Sequence, residues 1–376
     1  VSAINAVGAW DITTGSPGIV VAVLDTGVRP EHEDLVNQLV PGYDFVADLS
    51  DARDGNGRDA DASDPGDWSS AGQCGAGEAA APSSWHGTKM AGLIAAQANN
   101  GIGMAGVGWN VRVQPVRVLG ACGGYDSDIL AGMLWAGGVS ANPVVNPNPA
   151  RVINLSLGST GTCSAAYRDA VSQLTAAGVV VVAAAGNEEG LAVGTPANCP
   201  GVVAVAALRH TGTKVGFSSI GPEVSIAAPG GNCVNLGGSC LYPILTTTNT
   251  GTQGPAAPAY TDGNDYSVGT SFSTPLVAGT VALMLSANPA LTPAQVRSQL
   301  QATARPFPAT SADPTVPLCR APSTVPQIEC LCTTSTCGAG MLDAAAAVRA
   351  AAATAAPSVS LLAGAASVLA GQALAF

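Results

Sequence analysis

Ile19-Val20-Val21-Ala22-Val23-Leu24-Asp25-Thr26-Gly27 is an unbroken apolar run closed by a carboxylate and a Thr-Gly turn. A run this short, rich in β-branched residues and without a polar face, reads as a strand buried on both sides, as strands of parallel sheets are. Four more runs repeat the pattern: Val111 to Val118, Val152 to Leu155, Val179 to Ala184 and Val202 to Ala206. Between them Gly87 to Gln97, Asp126 to Ala136 and Ala165 to Ala177 have helical spacing and few breakers. The alternation predicts an α/β fold, a doubly wound and mostly parallel sheet with helices on both faces, because parallel strands need crossover connections.

Composition narrows the function. Only 10% of the 376 residues are charged, against about 25% in an average soluble chain, and 47% are hydrophobic, which excludes disorder. Lys and Arg number 14 against 25 Asp and Glu, a net charge of −11, so no basic surface is available for nucleic acid. Ten cysteines without a Cys-x-x-Cys pair, and with only three histidines, point to disulfides and an oxidising compartment rather than to a zinc site. Locality favours Cys74 with Cys122, Cys163 with Cys199, Cys233 with Cys240, Cys319 with Cys330 and Cys332 with Cys337, although counting alone cannot choose among the pairings. No basic region followed by an apolar stretch opens the chain, so any signal peptide is either removed or not included, and the numbering reads as that of a mature product. The uncharged tail after Ala350 is interrupted by Pro357, Gly364, Ser367, Gly371 and Gln372, and no membrane span is expected.

Three places carry chemistry. Asp25 stands at the C-terminal edge of a buried strand, where open α/β sheets place their ligands. His86, in Trp85-His86-Gly87-Thr88, opens a helical stretch, and Ser271, in Gly269-Thr270-Ser271-Phe272-Ser273-Thr274-Pro275, opens another. Taken singly they read as a turn cap, a surface histidine and a helix cap. Together they supply a hydroxyl nucleophile, a base to activate it and a carboxylate to orient that base. Asn187, directly after the buried run Val179 to Ala184, can aim a side-chain amide at a developing oxyanion.

These signatures resemble those of the subtilisin family of serine peptidases from about Ala9 to Val348: Asp25-Thr-Gly, His86-Gly-Thr and Gly269-Thr-Ser271-x-x-x-Pro275, in the order Asp, His, Ser. The resemblance implies a subtilisin-like fold and a secreted serine endopeptidase acting on proteins or peptides through an acyl-enzyme on Ser271. His86 would be the general base and acid, Asp25 its orienting partner, and Asn187 a donor of the oxyanion hole. It carries the substrate-pairing segments onto Cys122, Gly123 and Gly124 and onto Ser156, Leu157 and Gly158. Gly158, Gly186 and Gly194 then fall around the primary specificity pocket, with Glu188 near its rim. Lys89, Met90 and Ser273 depart from the family's usual His, Val and Ala. An α/β-hydrolase esterase would order its triad Ser, Asp, His and is excluded. A binding protein on the same fold would be expected to have lost one of Asp25, His86, Ser271 or Asn187.

The glycine-rich loop from Ala98 to Val107 can converge its carbonyls on a hard cation, with Asn100 adding a side-chain oxygen. The resemblance makes this a Ca²⁺ loop with ligands at Ala98, Asn100, Ile102 and Met104 and a carboxylate from Asp34. A second candidate cation site is the acidic stretch holding Asp48, Asp51, Asp54, Asn56, Asp59, Asp61 and Asp64. The resemblance also implies a propeptide that assists folding and inhibits the enzyme, and a monomer in solution. Residues 1–349 should form the catalytic domain. Residues 350–376 should be a linker and the start of an immunoglobulin-like accessory domain that the chain does not complete.

Overall fold

A computed structural model describes residues 2–142, 144–231, 242–261 and 268–355. Seven strands form the main sheet: β1 (Val20–Asp25), β2 (Tyr43–Asp44), β3 (Arg112–Arg117), β4 (Val152–Leu155), β5 (Val180–Ala184), β6 (Val203–Leu208) and β7 (Val224–Pro229). They lie in the order β2-β3-β1-β4-β5-β6-β7 and every pairing is parallel. Strands β8 (Thr246–Asn249) and β9 (Pro258–Thr261) make a separate antiparallel hairpin. The helices are α1 (Ala6–Trp10), α2 (Leu49–Ala52), α3 (His86–Ala95), α4 (Asp126–Ala136), α5 (Ala165–Ala176), α6 (Thr270–Ala287), α7 (Pro293–Ala302) and α8 (Ala344–Ala353). All five apolar runs of the sequence are strands and the expected helices form between them.

The pleat explains why β1 is apolar throughout. Val21 and Val23 point into one core with Met90 and Ile94 of α3 and Val281 and Leu285 of α6. Val20, Ala22 and Leu24 point into the other, with Trp135 of α4 and Val171 of α5. Helix α6 is long and apolar enough to cross a membrane, but it is mostly buried and serves as the core helix of one layer.

The strand order reverses about β1, whose neighbours are β3 and β4. Loops leaving these strands diverge and open a crevice at their C-terminal ends. Asp25 ends β1, Ser156 follows β4 and Asn187 follows β5, so all three reach that crevice.

Eight cysteines form four disulfides, Cys74–Cys122, Cys163–Cys199, Cys319–Cys330 and Cys332–Cys337, each as locality favours. Cys233 and Cys240 lie outside the described residues. Helix α8 runs on to Ala353, past the boundary expected after residue 349, because Asn288 Nδ2 donates to the carbonyl of Ala351 at 3.2 Å and ties the helix end to α6. The rest of the expected accessory segment, residues 356–376, lies outside the described residues.

The acidic stretch is organised by hydrogen bonds and one buried cation. Arg117, at the end of β3 and 1% exposed, pairs with Asp44 and with Asp54 at 2.9 Å, and donates to the carbonyl of Ala52. Burial still pushes Asp44 up to about 7, against the pull of Arg117. Asp48 accepts from Ser50 N–H at 2.8 Å to cap α2, and Asp61 accepts from Ser63 N–H at 3.0 Å. Asp51 sits in the first turn of α2, and Asp64 is buried elsewhere, against Thr26. Among the described residues no three of the carboxylates of Asp48, Asp51, Asp54, Asp61 and Asp64 converge; Asp54 and Asp61 line one cavity with Asn56 and Asp59, while Asp64 stands apart from them. Asp48, Asp61 and Asp64 are drawn off by local donors and Asp54 by Arg117.

Candidate active site

His86 is the first residue of α3, and the residue before it, Trp85, has φ 53°. A bulky residue in left-handed backbone is costly and persists only where its surroundings hold it. Trp85 is held: it is 2% exposed, and its indole N–H donates to the carbonyl of Gly251 at 2.7 Å. The turn delivers the His86 ring to Asp25. Nδ1 lies 2.8 Å from Asp25 Oδ1 and 2.9 Å from Oδ2, and the Thr26 N–H donates to Oδ1 at 2.8 Å. Gly87 must lack a side chain, since a Cβ there would stand 2.1 Å from the carbonyl oxygen of Gly27. Burial disfavours the imidazolium, but the charge and hydrogen bond of Asp25 outweigh it, and the His86 pKa is raised above its ordinary value.

Ser271 is the second residue of α6, beside backbone N–H groups that have no intrahelical acceptor. Its Oγ donates to the carbonyl of Ser156 at 3.1 Å. Proline 275, inside α6, has no N–H for the carbonyl of Ser271. Ser156 supplies the missing donor, its Oγ reaching that carbonyl at 2.8 Å.

Asn187 is oriented by Thr270. Its Oδ1 accepts from the Thr270 N–H and from Thr270 Oγ1, both at 3.0 Å. With the oxygen so held, Nδ2 is the atom left free, and it lies toward Gly269 and the head of α6.

Two cavities flank the segment Ser156 to Ser159. One, of about 210 Å³, is lined by Gly158, Gly186, Asn187, Glu188, Gly194 and Ser271 among others. Its walls need those glycines: a Cβ at Gly194 would stand 2.4 Å from the carbonyl of Ser159, and one at Gly186 2.3 Å from Glu188 Oε2. Glu188 is held by Ser219 Oγ at 2.6 Å. The other, of about 310 Å³, runs from His86 past Leu157 and past Gly123 and Gly124 to Tyr167 and Pro196. Cys122 is exposed beside it and bonded to Cys74.

The three departures are accommodated. Ser273 donates to the carbonyls of Ala228 and Pro229 at 3.1 and 3.0 Å. Met90 is fully buried. Lys89 is 5% exposed, and its burial lowers its pKa to about 8 against the opposing Asp67.

Asp34 meets the glycine-rich loop as expected. It is fully buried, and accepts from Asn100 Nδ2 at 2.5 Å and from the Met104 N–H at 3.2 Å. No Lys or Arg side chain pairs with it among the described residues. The hydroxyl of Tyr260, from β9, is buried without a hydrogen-bond partner. Burial and the neighbouring Asp34 raise its pKa. The Asp34 carboxylate and the Tyr260 hydroxyl are oxygens suited to a hard cation, and Asn100, whose Nδ2 faces Asp34, would join them by turning its amide oxygen inward. Tyr260 has no signal in the sequence; only the fold of the β8–β9 hairpin brings it there.

The pattern of the subtilase family matches residues 16–335. An extracellular protease of Xanthomonas campestris pv. campestris is 47% identical over 303 residues, covering 80% of this chain and 49% of the relative. The extracellular basic protease of Dichelobacter nodosus is 41% identical, covering 79% and 48%. The chain thus spans about half the length of these curated relatives. Subtilisin DY of Bacillus licheniformis is 34% identical, covering 76% of this chain and 82% of the relative. A solved structure of a protease from Pseudoalteromonas arctica superposes with a TM-score of 0.82 at 46% identity, covering 93% of this chain and 94% of that one.

Proposed function

This chain belongs to the subtilase family, and on that premise we propose that it is a secreted serine endopeptidase that hydrolyses proteins or peptides through an acyl-enzyme on Ser271. The observation that carries the reading is the bidentate contact of Asp25 with His86 Nδ1, at 2.8 and 2.9 Å. It fixes the proton on Nδ1 and leaves Nε2 as the base. In the mechanism, Ser271 Oγ leaves the Ser156 carbonyl and gives its proton to His86 Nε2 as it attacks the scissile carbonyl carbon. Asp25 stabilises the imidazolium without accepting its proton. Asn187 Nδ2 and the Ser271 N–H donate to the oxyanion. Collapse breaks the C–N bond as His86 returns the proton to the leaving amine, and a water activated by the same histidine then releases the acyl group.

An extended peptide would pair with Cys122 to Gly124 on one side and Ser156 to Gly158 on the other. The residue before the scissile bond would enter the 210 Å³ cavity. Open glycine walls suit large apolar side chains there, while Glu188 tolerates basic ones and disfavours acidic ones. When bound, Ca²⁺ would supply a fixed positive charge to Asp34, Asn100, the carbonyls of Ala98, Ile102 and Met104, and the Tyr260 hydroxyl, bracing the loop to the core. The extracellular names of the relatives and the disulfides support secretion; a propeptide inhibitor and a monomeric state complete the proposal.

The test is covalent. A fluorophosphonate probe should label the purified protein at Ser271, and Ser271→Ala should abolish both labelling and casein hydrolysis. A folded wild type that neither takes the label nor cleaves casein would overturn the reading.

A further inference from the structure

Asp64 is fully buried, and its carboxylate accepts two hydrogen bonds. Thr26 Oγ1 donates to Oδ2 at 2.6 Å and the Gly66 N–H donates to Oδ1 at 2.8 Å. Arg29 donates to the backbone carbonyl of Asp64, not to its carboxylate, at 2.7 Å. The partner of the carboxylate that matters is Thr26. Its N–H holds Asp25 Oδ1, and its Oγ1 accepts from the N–H of Gly87, the residue after His86, at 3.1 Å. The three segments meet without spare room: a Cβ on Gly27 would lie 2.9 Å from Asp64 N, and one on Gly87 2.1 Å from the Gly27 carbonyl.

The Thr26 hydroxyl has one proton and two lone pairs. Burial and the neighbouring Asp67 push the Asp64 pKa up to about 7; once ionised its carboxylate can only accept, so it takes that proton and turns the lone pairs toward Gly87. We propose that Asp64 is a positioning residue for the triad, acting through the Thr26 hydroxyl to fix the register of the His86 segment against Asp25. The inference rests on the reading of Asp25 and His86 given above. Asp64 touches neither substrate nor His86, and its effect is on geometry alone. Small errors in the register of a base and its orienting group are costly to turnover and leave binding intact.

The test uses four variants and two readouts. Asp64→Asn, with Oδ1 kept on the Gly66 N–H, sets an NH₂ toward Thr26 Oγ1, which can meet it only by turning its own proton away and offering a lone pair instead. Thr26→Val removes the hydroxyl and keeps the shape. Each should lower kcat on a peptide substrate about 10-fold with KM within about twofold, and the double variant should be no worse than either single, because the two act as one unit. Thr26→Ser, which restores the hydroxyl, should recover most of the kcat lost in Thr26→Val. The low-field proton NMR resonance of the His86–Asp25 hydrogen bond should shift in Thr26→Val and Asp64→Asn and return in Thr26→Ser. Wild-type kcat and an unmoved resonance in a folded Thr26→Val protein would overturn the proposal, as would multiplicative losses in the double variant. Should Asp64→Asn not fold, the Val and Ser variants decide alone. A wild type that is inert to the fluorophosphonate would overturn the triad instead, a distinct outcome.

Discussion

Ser156 and Ser271 are joined by reciprocal hydrogen bonds, each hydroxyl donating to the other's carbonyl, at 2.8 Å from Ser156 and 3.1 Å from Ser271. The exchange exists because Pro275 removes the N–H that would otherwise bond the Ser271 carbonyl inside α6. It ties the loop after β4, which the peptide would pair with, to the nucleophile itself. Asn154 Nδ2 also donates to Ser156 Oγ, at 3.0 Å, so that hydroxyl serves two buried groups.

Ser156→Ala should therefore destabilise the fold by about 1–3 kcal/mol, the cost of leaving buried polar groups unpaired. Urea unfolding measures it. Adding Pro275→Ala returns a helical N–H to the Ser271 carbonyl and should recover part of the loss. If Ser156→Ala unfolds at the wild-type midpoint, the pairing contributes nothing to stability.

For Asn187, removal of the donor should act on the transition state and not on ground-state binding. Asn187→Ala should lower kcat by about 10²- to 10³-fold with KM little changed, the magnitude known for the same kind of donor in subtilisin. The Oδ1 contacts with Thr270 add a second arm. Thr270→Val removes one of them and should give a smaller loss in kcat; an equal or greater loss would show that Thr270 does more than orient the amide.

His86 sets the acid limb of activity. Only neutral imidazole can accept the serine proton, and Asp25 raises the His86 pKa above about 6.5 despite burial, so kcat/KM should rise with pH through a midpoint above that value. Removing the charge leaves burial unopposed. In Asp25→Asn, an NMR titration of the His86 ring should show its midpoint fall below 6.5. The sign for stability is opposite to that for activity: a raised folded-state pKa stabilises the fold below the unfolded value, and that contribution is lost as pH climbs through the folded one. A flat rate from pH 5 to 9 would contradict the assignment.

The sheet was legible because each buried strand is short and apolar on both faces, and the candidate triad because its three signatures keep fixed local neighbours. Contacts that depend on where a loop returns to were not. The acidic stretch reads as a cation site, since nothing in Arg112 to Arg117 reveals that Arg117 points toward it and pairs with Asp54 as well as with Asp44. Asp64 reads the same as its neighbours, yet only it is drawn under Thr26. Tyr260 reaches Asp34 from a hairpin more than 200 residues away in the chain, with no periodicity to announce it. Proline 275 was visible, but that its missing N–H is replaced by Ser156 is a property of the packed loop.

Calcium should stabilise the folded protein through Asp34. A ligand that binds only the folded state adds RT ln(1 + [L]/Kd), about 2.7 kcal/mol at a hundredfold excess over Kd. Chelation by EDTA should lower Tm and speed self-digestion, because the loop from Ala98 to Val107 packs directly on α3 and α6: the Val107 N–H bonds the Leu93 carbonyl at 3.0 Å, and Gly279 of α6 has no room for a Cβ beside Val107. Self-digestion confounds a melting curve, so the measurement belongs on the Ser271→Ala protein, where only the fold is read. There Asp34→Ala should remove the calcium response, and Tyr260→Phe should weaken it by deleting the one hydroxyl buried without a partner beside Asp34. The two variants separate the alternatives. If Tyr260→Phe keeps the full response while Asp34→Ala loses it, the hydroxyl is not a ligand. If both respond as their parent does, or if calcium leaves the Tm of the parent unmoved, Asp34 is held by Asn100 and Met104 alone and the loop carries no cation.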